Sequence, residues 1–462
     1  ELNYTNVLEC LSLAGIPVQT EDRGEDDPIV ILGGTTAYNP LPLSDFIDAF
    51  GIGEGERMVE EIVEVMKRGK DCGARRSDVI RELSKIRGIW VPSIGKYPVR
   101  SAEVPELLYE DFPVRKLVPL ISIEHSRYSV EVMRGCLRGC RFCQAGVVYR
   151  PVRERPPEDV ERIVKEGISA TGFGEVSLLS LSISDYSGLE ECLARLFPYF
   201  LSRRINLSLP SLRVDALTPS VVKMISQFRR TGLTFAPEAG TERLRRVVNK
   251  DIEEDKLLLS AELAFEAGWR HIKLYFMIGL PTETEEDIEG IVRLVERVMR
   301  FKRGVNITIS PFVPRPFTPF QWCTQADMDT IRARQAFLRQ RLRGRRIKLS
   351  TRTPELSFVE GVLARGDERL GRVLNLVWER GGIFQGWTEF FDFSLWEGAF
   401  LDAGVDPYDY LRERDVEQAL PWEFINVPVS REFLLREWER AQKGEETPHS
   451  VSYTHLTLPT KA

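Results

Sequence analysis

The chain reads as an α/β protein: a curved, partly open barrel of six β/α units, preceded by the end of a doubly wound domain and followed by a mostly helical module. Three observations carry this expectation. Short apolar runs start near residues 128, 175, 205, 232, 271 and 305, and each is followed by a segment of helical period. Ahead of them, a buried-strand run, Pro28-Ile-Val-Ile-Leu-Gly-Gly34, is followed by a second strand and an acidic glycine turn. After them the text changes to an Arg-rich stretch and then to segments rich in Trp and Phe. At 462 residues, 43% hydrophobic and 29% charged, the chain is long enough for several cores at the usual ~150 residues per domain.

In chain order, Glu1-Leu-Asn-Tyr-Thr-Asn-Val-Leu-Glu-Cys-Leu-Ser-Leu-Ala-Gly15 has amphipathic helical spacing with a closing glycine. It already reads as mid-helix, so a preceding segment is expected. The strand at 28–34, the strand and turn Phe46-Ile-Asp-Ala-Phe-Gly-Ile-Gly-Glu-Gly-Glu56 and a helix over 58–67 are expected to form the last part of a truncated doubly wound domain, residues 1–70. Residues 71–127, rich in Pro and Gly, are expected to be a linker. The barrel is assigned to 128–324, with helices over 157–170, 189–201, 219–228, 256–267 and 283–300 carrying right-handed crossovers between parallel strands. Function then belongs at the carboxyl ends of those strands. Residues 325–448 are an accessory module containing Trp378, Trp387, Trp396, Trp422 and Trp438. The tail 449–462 breaks from the preceding pattern and is expected to be disordered, either an artefact or a natural flexible terminus.

With 63 basic and 69 acidic residues the net charge is −6, which argues against a chain that coats nucleic acid wholesale. No apolar run approaches the roughly 18 residues of a membrane span, and no charged-then-apolar leader opens the chain, so a cytoplasmic location without membrane partners is expected. Of seven cysteines, Cys136, Cys140 and Cys143 fall together while Cys10, Cys72, Cys192 and Cys323 are scattered. That distribution is no disulfide framework. Cys192 and Cys323 are expected to pack in the barrel.

The grouped cysteines lie in Arg134-Gly-Cys136-Leu-Arg-Gly-Cys140-Arg-Phe-Cys143, directly after the strand Tyr128-Ser-Val-Glu-Val-Met133. A closed structural zinc site needs four protein ligands, and the nearest fourth candidate, His125, is at the far end of the same strand. Three thiolates without a fourth suit a [4Fe-4S] cluster with one open iron. Gly135 and Gly139 let backbone amides approach the sulfurs, and Arg134, Arg138 and Arg141 are expected to supply positive charge that favours thiolates.

These residues resemble the radical SAM superfamily, whose signature is Cys-x3-Cys-x2-Cys after the first strand of a six-unit β/α barrel; the resemblance covers 128 to about 322. It implies a [4Fe-4S] cluster on Cys136, Cys140 and Cys143, whose open iron binds S-adenosylmethionine (SAM). It also implies reductive cleavage of the sulfonium to a 5'-deoxyadenosyl radical, with the electron from a reductant such as flavodoxin or ferredoxin. Phe142 matches the family aromatic that packs near the adenine. Val176, Leu178, Ser180 and Ser182 share one strand face by the two-residue period. Ser180 and Ser182 thereby occupy the place where the family recognises the methionine amino group, although its Gly-Gly-Glu is absent and Gly174-Glu175 sits at the wrong end of the strand. Arg213, in Leu207-Ser-Leu-Pro-Ser-Leu-Arg213-Val-Asp215, resembles a contact to the SAM ribose and carboxylate, with a surface ion pair as the alternative. Glu238, in Leu233-Thr-Phe-Ala-Pro-Glu238-Ala-Gly240-Thr, resembles the family's Glu-Ser-Gly element before a helix ending in Asn249-Lys250, with an acid that satisfies the following helix dipole as the alternative. Gly279-Leu-Pro-Thr-Glu-Thr284 resembles the turn that backs the adenine, and Ser310-Pro-Phe-Val-Pro-Arg-Pro-Phe-Thr-Pro-Phe-Gln-Trp322 the exit from the sixth strand in methylthiotransferase-like and cobalamin-associated branches.

The N-terminal segment is similar to the end of the cobalamin-binding domain that precedes the barrel in one branch, and Arg134 to Gly146 is similar to the uncharacterised radical SAM proteins of that type. Cobalamin is therefore a further cofactor to consider, although no Asp-x-His-x-x-Gly is present. For the substrate, the tract from Ile331 to Ser350 carries Arg332, Arg334, Arg339, Arg341, Arg343, Arg345, Arg346 and Lys348, a pattern that suits RNA phosphates or, equally, a solvated helix face with acidic neighbours. Three readings stand: a radical enzyme that cleaves SAM to modify an unknown substrate, RNA among the candidates; a cobalamin-dependent radical SAM methyltransferase; and a non-catalytic iron–sulfur or zinc scaffold.

Overall fold

A computed structural model describes residues 1–121, 123–210, 213, 224, 227–228, 233–250 and 252–447. The expected helix over 219–228 lies almost wholly outside the described residues, and the tail 449–462 lies outside them entirely. The chain divides into two units that are not contiguous in sequence. One comprises 1–104, 311–331 and 352–435, and the other 105–310, 332–351 and the chain from 436 on. This division cuts across the expected boundaries at 70, 127 and 324, because strands far apart in sequence pair with each other.

In the first unit, β1 (Ile31–Gly33) and β2 (Ala49–Gly51) pair in parallel, Ile31 opposite Ala49, and β3 (Ile89–Trp90) joins β2 antiparallel. The connection from β1 to β2 contains only the short 3₁₀ turns Thr35–Tyr38 and Leu41–Leu43. The helix after β2 runs over Gly55–Cys72, longer than the apolar spacing suggests. Part of the expected linker is structured here: the helix Arg76–Leu83, β3 and β4 (Val99–Arg100), which pairs in parallel with Ile425–Asn426. Val79, Ile80, Leu83, Ile86, Ile89 and Val91 close over Ala49, Met58 and Val65 to make one core. Elsewhere in the unit Trp322, Trp396 and Trp422 are completely buried. Two of the three indole N–H groups find partners: Gln321 accepts from Trp422 and Gln385 from Trp396, both at 3.0 Å, while that of Trp322 has none among the described residues. Cys323 is buried in this unit, not in the barrel as expected, with its thiol donating to the Phe320 carbonyl at 3.0 Å.

The second unit holds the barrel strands. β5 (Tyr128–Glu131) is followed by β6 (Met133–Arg134), which forms a small antiparallel pair with β7 (Arg153–Glu154). β8 (Glu175–Leu179) and β9 (Asn206–Ser208) extend β5 in parallel, in the order β5-β8-β9. β10 (Leu233–Glu238), β11 (His271–Ile278), β12 (Gly304–Pro311) and β13 (Ile347–Thr351) form a four-stranded sheet in chain order. All six expected barrel strands are present, and the helices Pro157–Thr171, Leu189–Arg203, Glu254–Glu266 and Glu285–Met299 agree closely with their periods. Cys192 is buried in the second of these helices, as expected.

The correction is at the end of the barrel. The Arg-rich helix Met328–Arg341 and the strand after it do not start an appended module. They are a seventh β/α step, with β13 parallel to β12 from Val305 opposite Ile347 to Ile309 opposite Thr351. Charge density conceals the pattern. Ile331, Gln335, Leu338 and Leu342 form a buried spine under the arginines, and in β13 only Lys348 and Ser350 face water.

Candidate functional site

The three grouped cysteines leave β6 on one loop. Cys136, Cys140 and Cys143 are all half-buried. Gly135 begins the loop with φ +86°, and a Cβ there would lie 2.6 Å from the Tyr149 carbonyl oxygen, so only glycine lets the chain turn here. Backbone amides reach two of the sulfurs: Arg138 N–H donates to Cys136 Sγ and Gly146 N–H to Cys143 Sγ, both at 3.4 Å. Burial pushes the Cys136 thiol up and the Cys143 thiol up to about 11. Among the described residues no set of three His, Cys, Asp or Glu side chains stands at metal-holding geometry.

The arginines around the loop do something other than expected. Arg134 makes a two-pronged pair with Glu131 (2.9 and 2.7 Å), Arg138 with Asp185 (2.9 and 2.5 Å), and Arg141, fully buried, bonds Glu437 at 3.0 Å. Each guanidinium is matched by a carboxylate, so these charges build the loop rather than polarise the thiols. The cations whose charge acts on the sulfurs are Arg150, on Cys136, and Lys250, on Cys140 and Cys143; the resemblance reached Lys250 without giving it a role. Against the opposing effect of burial, the Cys140 thiolate and the Glu238 carboxylate hold the Lys250 ammonium above the usual range.

Glu238 stands at the end of β10, where the register with β11 shifts between Phe235 and Glu238. It has φ +66°, a conformation that a side-chain-bearing residue adopts at a cost of about 1–3 kcal/mol and that concentrates at functional sites. Its carboxylate accepts from Lys250 Nζ at 3.2 Å, and burial raises its pKa. It does not cap the next helix. Thr241 does so, accepting from Leu244 N–H at 3.2 Å.

Ser180 and Ser182 lie beyond the end of β8, which stops at Leu179. The face expected from strand period persists without the strand: Leu179 and Leu181 are exposed, Ser180 is half-buried and Ser182 buried. Ser182 leads into the 3₁₀ turn Ile183–Asp185, where, against the opposing effect of burial, Arg138 holds the Asp185 carboxyl down. Arg213 joins the same neighbourhood. Its backbone N–H donates to Ser184 Oγ at 2.9 Å, and its charge acts on both Asp185 and Lys250. Phe142 is half-buried on the cysteine loop. The structure thus gathers the cysteines, Ser182, Arg213 and Glu238 through Asp185 and Lys250. His125 stands apart at the amino end of β5, its Nδ1 3.0 Å from Arg127 Nη2, where it cannot close a zinc site with the cysteines.

Known proteins resemble this chain in sequence. Residues 1–92 match the model of the N-terminal region of radical SAM proteins, and residues 130–295 that of the radical SAM superfamily. An uncharacterised protein of Methanocaldococcus jannaschii is 29% identical over 354 residues, 76% of this chain and 74% of its own. A tRNA-2-methylthio-N(6)-dimethylallyladenosine synthase of Clostridium botulinum is 28% identical over 216 residues, 44% of this chain and 46% of its own, so the match spans about half of either protein. The cobalamin-dependent SAM radical enzyme OxsB has a TM-score of 0.45 at 12% identity, covering 95% of this chain and 68% of its own. Parallel β/α strands with the superfamily domain define an enzyme. The chain belongs to the radical SAM superfamily, with relatives in its methylthiotransferase branch. Membership carries a [4Fe-4S] cluster and SAM as cofactors, and the family's chemistry needs an external reductant. Among the described residues no helix is long and apolar enough to cross a membrane.

The residues fit such a cluster. Two of the three thiols already accept amide N–H bonds, which stabilise sulfur-borne negative charge.

Proposed function

We propose that Cys136, Cys140 and Cys143 hold a [4Fe-4S] cluster and that Ser180, Ser182, Arg213, Glu238 and Phe142 line the SAM site beside it. One observation carries the reading: the cysteine loop is held at the Gly139 carbonyl by Asn249, and the next residue, Lys250, pairs with the strained Glu238 at another strand's end. When bound, the cluster supplies the electron that opens the SAM sulfonium. The chain's part is to bind and orient. Lys250 and Arg213 offer cations to a carboxylate, Glu238 and the serines offer acceptors to an ammonium, and burial keeps water from competing. The test is anaerobic reconstitution and reduction, followed by chromatography. Conversion of SAM to 5'-deoxyadenosine that is abolished by Cys140→Ala is expected; iron uptake without SAM cleavage favours the scaffold reading.

For the substrate class we infer RNA, on two supports. One relative is named for a tRNA modification. In the basic tract, Arg334 is paired with Glu283 and Arg341 with Glu289, which leaves Arg343, Arg345, Arg346 and Lys348 exposed around the last strand of the sheet. Replacing Arg341, Arg343, Arg345 and Arg346 together is expected to weaken RNA retention and flatten its salt dependence; unchanged retention sinks the RNA reading. Optical titration with cobalamin is the arm that distinguishes the corrinoid-dependent methyltransferase.

A further inference from the structure

Arg141, between the second and third cysteines, has no exposed surface, and its side chain is fully engaged. Nε donates to Glu437 Oε2 at 3.0 Å, and Nη1 donates to the carbonyls of Arg246 and Val247 at 3.1 and 2.9 Å. Nη2 donates to the Glu445 carbonyl and Thr447 Oγ1 at 2.8 and 3.1 Å, while the backbone N–H donates to the Val248 carbonyl at 3.1 Å. A second tie runs in parallel. Asn249 Nδ2 donates to the Gly139 carbonyl at 2.9 Å, and Asn249 Oδ1 accepts from Thr447 N–H at 3.1 Å. The Thr447 hydroxyl in turn donates to Glu437 Oε2, whose other oxygen accepts from Arg440 at 2.8 Å. The residues flanking Cys140 on both sides are thus bound to one stretch, Glu437 to Thr447, nearly three hundred residues away along the chain.

We propose that the stretch from Glu437 to Thr447 positions the cysteine loop, with Arg141 and Asn249 as its positioning residues. The inference rests on the cysteines being cluster ligands, as read above. A buried ion pair contributes little to stability overall but fixes one arrangement of the chain, since an uncompensated buried charge excludes the alternatives. Applied here, Arg141 and Glu437 set where Cys140 and Cys143 point before iron arrives, and Asn249 sets the Gly139 peptide on the other side of Cys140. The Arg141 charge is neutralised by Glu437, so its contribution to the cluster is geometric.

The test compares the full chain with Glu437→Gln, Arg141→Lys, Thr447→Val and Asn249→Asp, each reconstituted anaerobically. Measured are iron loss to a chelator, the electron paramagnetic resonance spectrum of the reduced cluster, and the thermal midpoint of the iron-free protein. Partners outside the ligand shell typically change metal retention by 10–100-fold. The expected result is iron loss about tenfold faster with an altered spectrum; the iron-free midpoint stays close to that of the parent chain in Thr447→Val and Asn249→Asp, and falls in Glu437→Gln, which leaves the Arg141 charge buried and unpaired. Thr447→Val and Asn249→Asp are the milder changes and carry the comparison if the charged pair proves necessary for folding. Parent-like iron loss and spectrum in all variants that fold overturn the inference, as does faster loss in Thr447→Val and Asn249→Asp that merely follows a lowered midpoint. A parent chain that takes up no iron overturns the ligand reading itself and, with it, this inference.

Discussion

Lys250 is the residue on which the site's electrostatics turn. Its ammonium lies 3.2 Å from the Glu238 carboxylate, the Cys140 thiolate favours its charge, and Arg213 opposes it with a like charge. Lys250→Met is expected to leave iron binding intact while weakening SAM about tenfold, because a hydrogen bond to a charged group contributes about 1.5–3 kcal/mol. Equilibrium binding of SAM to the reconstituted protein checks this, and unchanged affinity rejects the role. A second residue-scale outcome concerns Glu283, on the turn after β11. Burial lifts its carboxyl to about 7 although Arg334 lies 2.5 Å away and the Gly279 amide donates to it at 2.7 Å. A raised folded pKa means that the folded chain prefers the protonated acid. Its stabilisation is therefore complete below about pH 4.5 and disappears as pH rises through about 7. Glu283→Gln is expected to remove up to about 3 kcal/mol of that pH dependence, seen as a smaller difference in thermal midpoint between pH 5 and pH 8. The cysteines and Glu238 were legible in the sequence because spacing and strand position are local. The resemblance reached Asn249-Lys250 but gave Lys250 no role, because nothing local indicates that the chain after the helix Glu242–Val247 turns back to a cysteine loop.

At the scale of elements, the turn after β10 and the helix Glu285–Met299 meet through two glycines. A Cβ on Gly240 would lie 2.1 Å from the Asp287 carbonyl oxygen, and one on Gly290 would lie 2.7 Å from Thr241 Cγ2 and 2.8 Å from the Gly240 carbonyl oxygen. Two effects compete when Gly290 becomes alanine. Helix propensity favours alanine by up to about 1 kcal/mol, while forcing a methyl into packed backbone costs about 1–3 kcal/mol. The obstructing atoms include backbone that cannot rotate away, so Gly290→Ala is expected to lower the thermal midpoint; a rise would show that the turn can give way. Gly240 follows Glu238 by two residues, so the variant is also expected to weaken SAM binding. The barrel helices were legible from their periods, since each buries a stripe of Val, Ile and Leu against the sheet. β13 was misassigned for the opposite reason. Its alternation spans only five residues and sits among arginines, so composition outweighed period.

For the whole molecule, the decisive fact is that each unit is assembled from separate stretches of chain. A fragment cut at the apparent barrel, 128–324, lacks β13, which covers one edge of β12, and lacks Glu437, which neutralises the buried Arg141. An uncovered parallel edge and an unpaired buried charge are both costly. The fragment is expected to aggregate or to lose its iron on desalting, whereas the full chain retains it; size-exclusion chromatography with iron analysis distinguishes the two. The order and direction of the six barrel strands, the spacing of Cys136, Cys140 and Cys143, and the position of Glu238 at a strand end follow from the sequence alone, because the period of burial and the separation of neighbours are properties of short stretches. Which carboxylate each arginine meets, that a seventh strand continues the sheet, and that the Lys250 charge acts on the thiols were decided only by the tertiary structure. Those pairings join residues up to 314 positions apart, and they depend on the path of the whole chain.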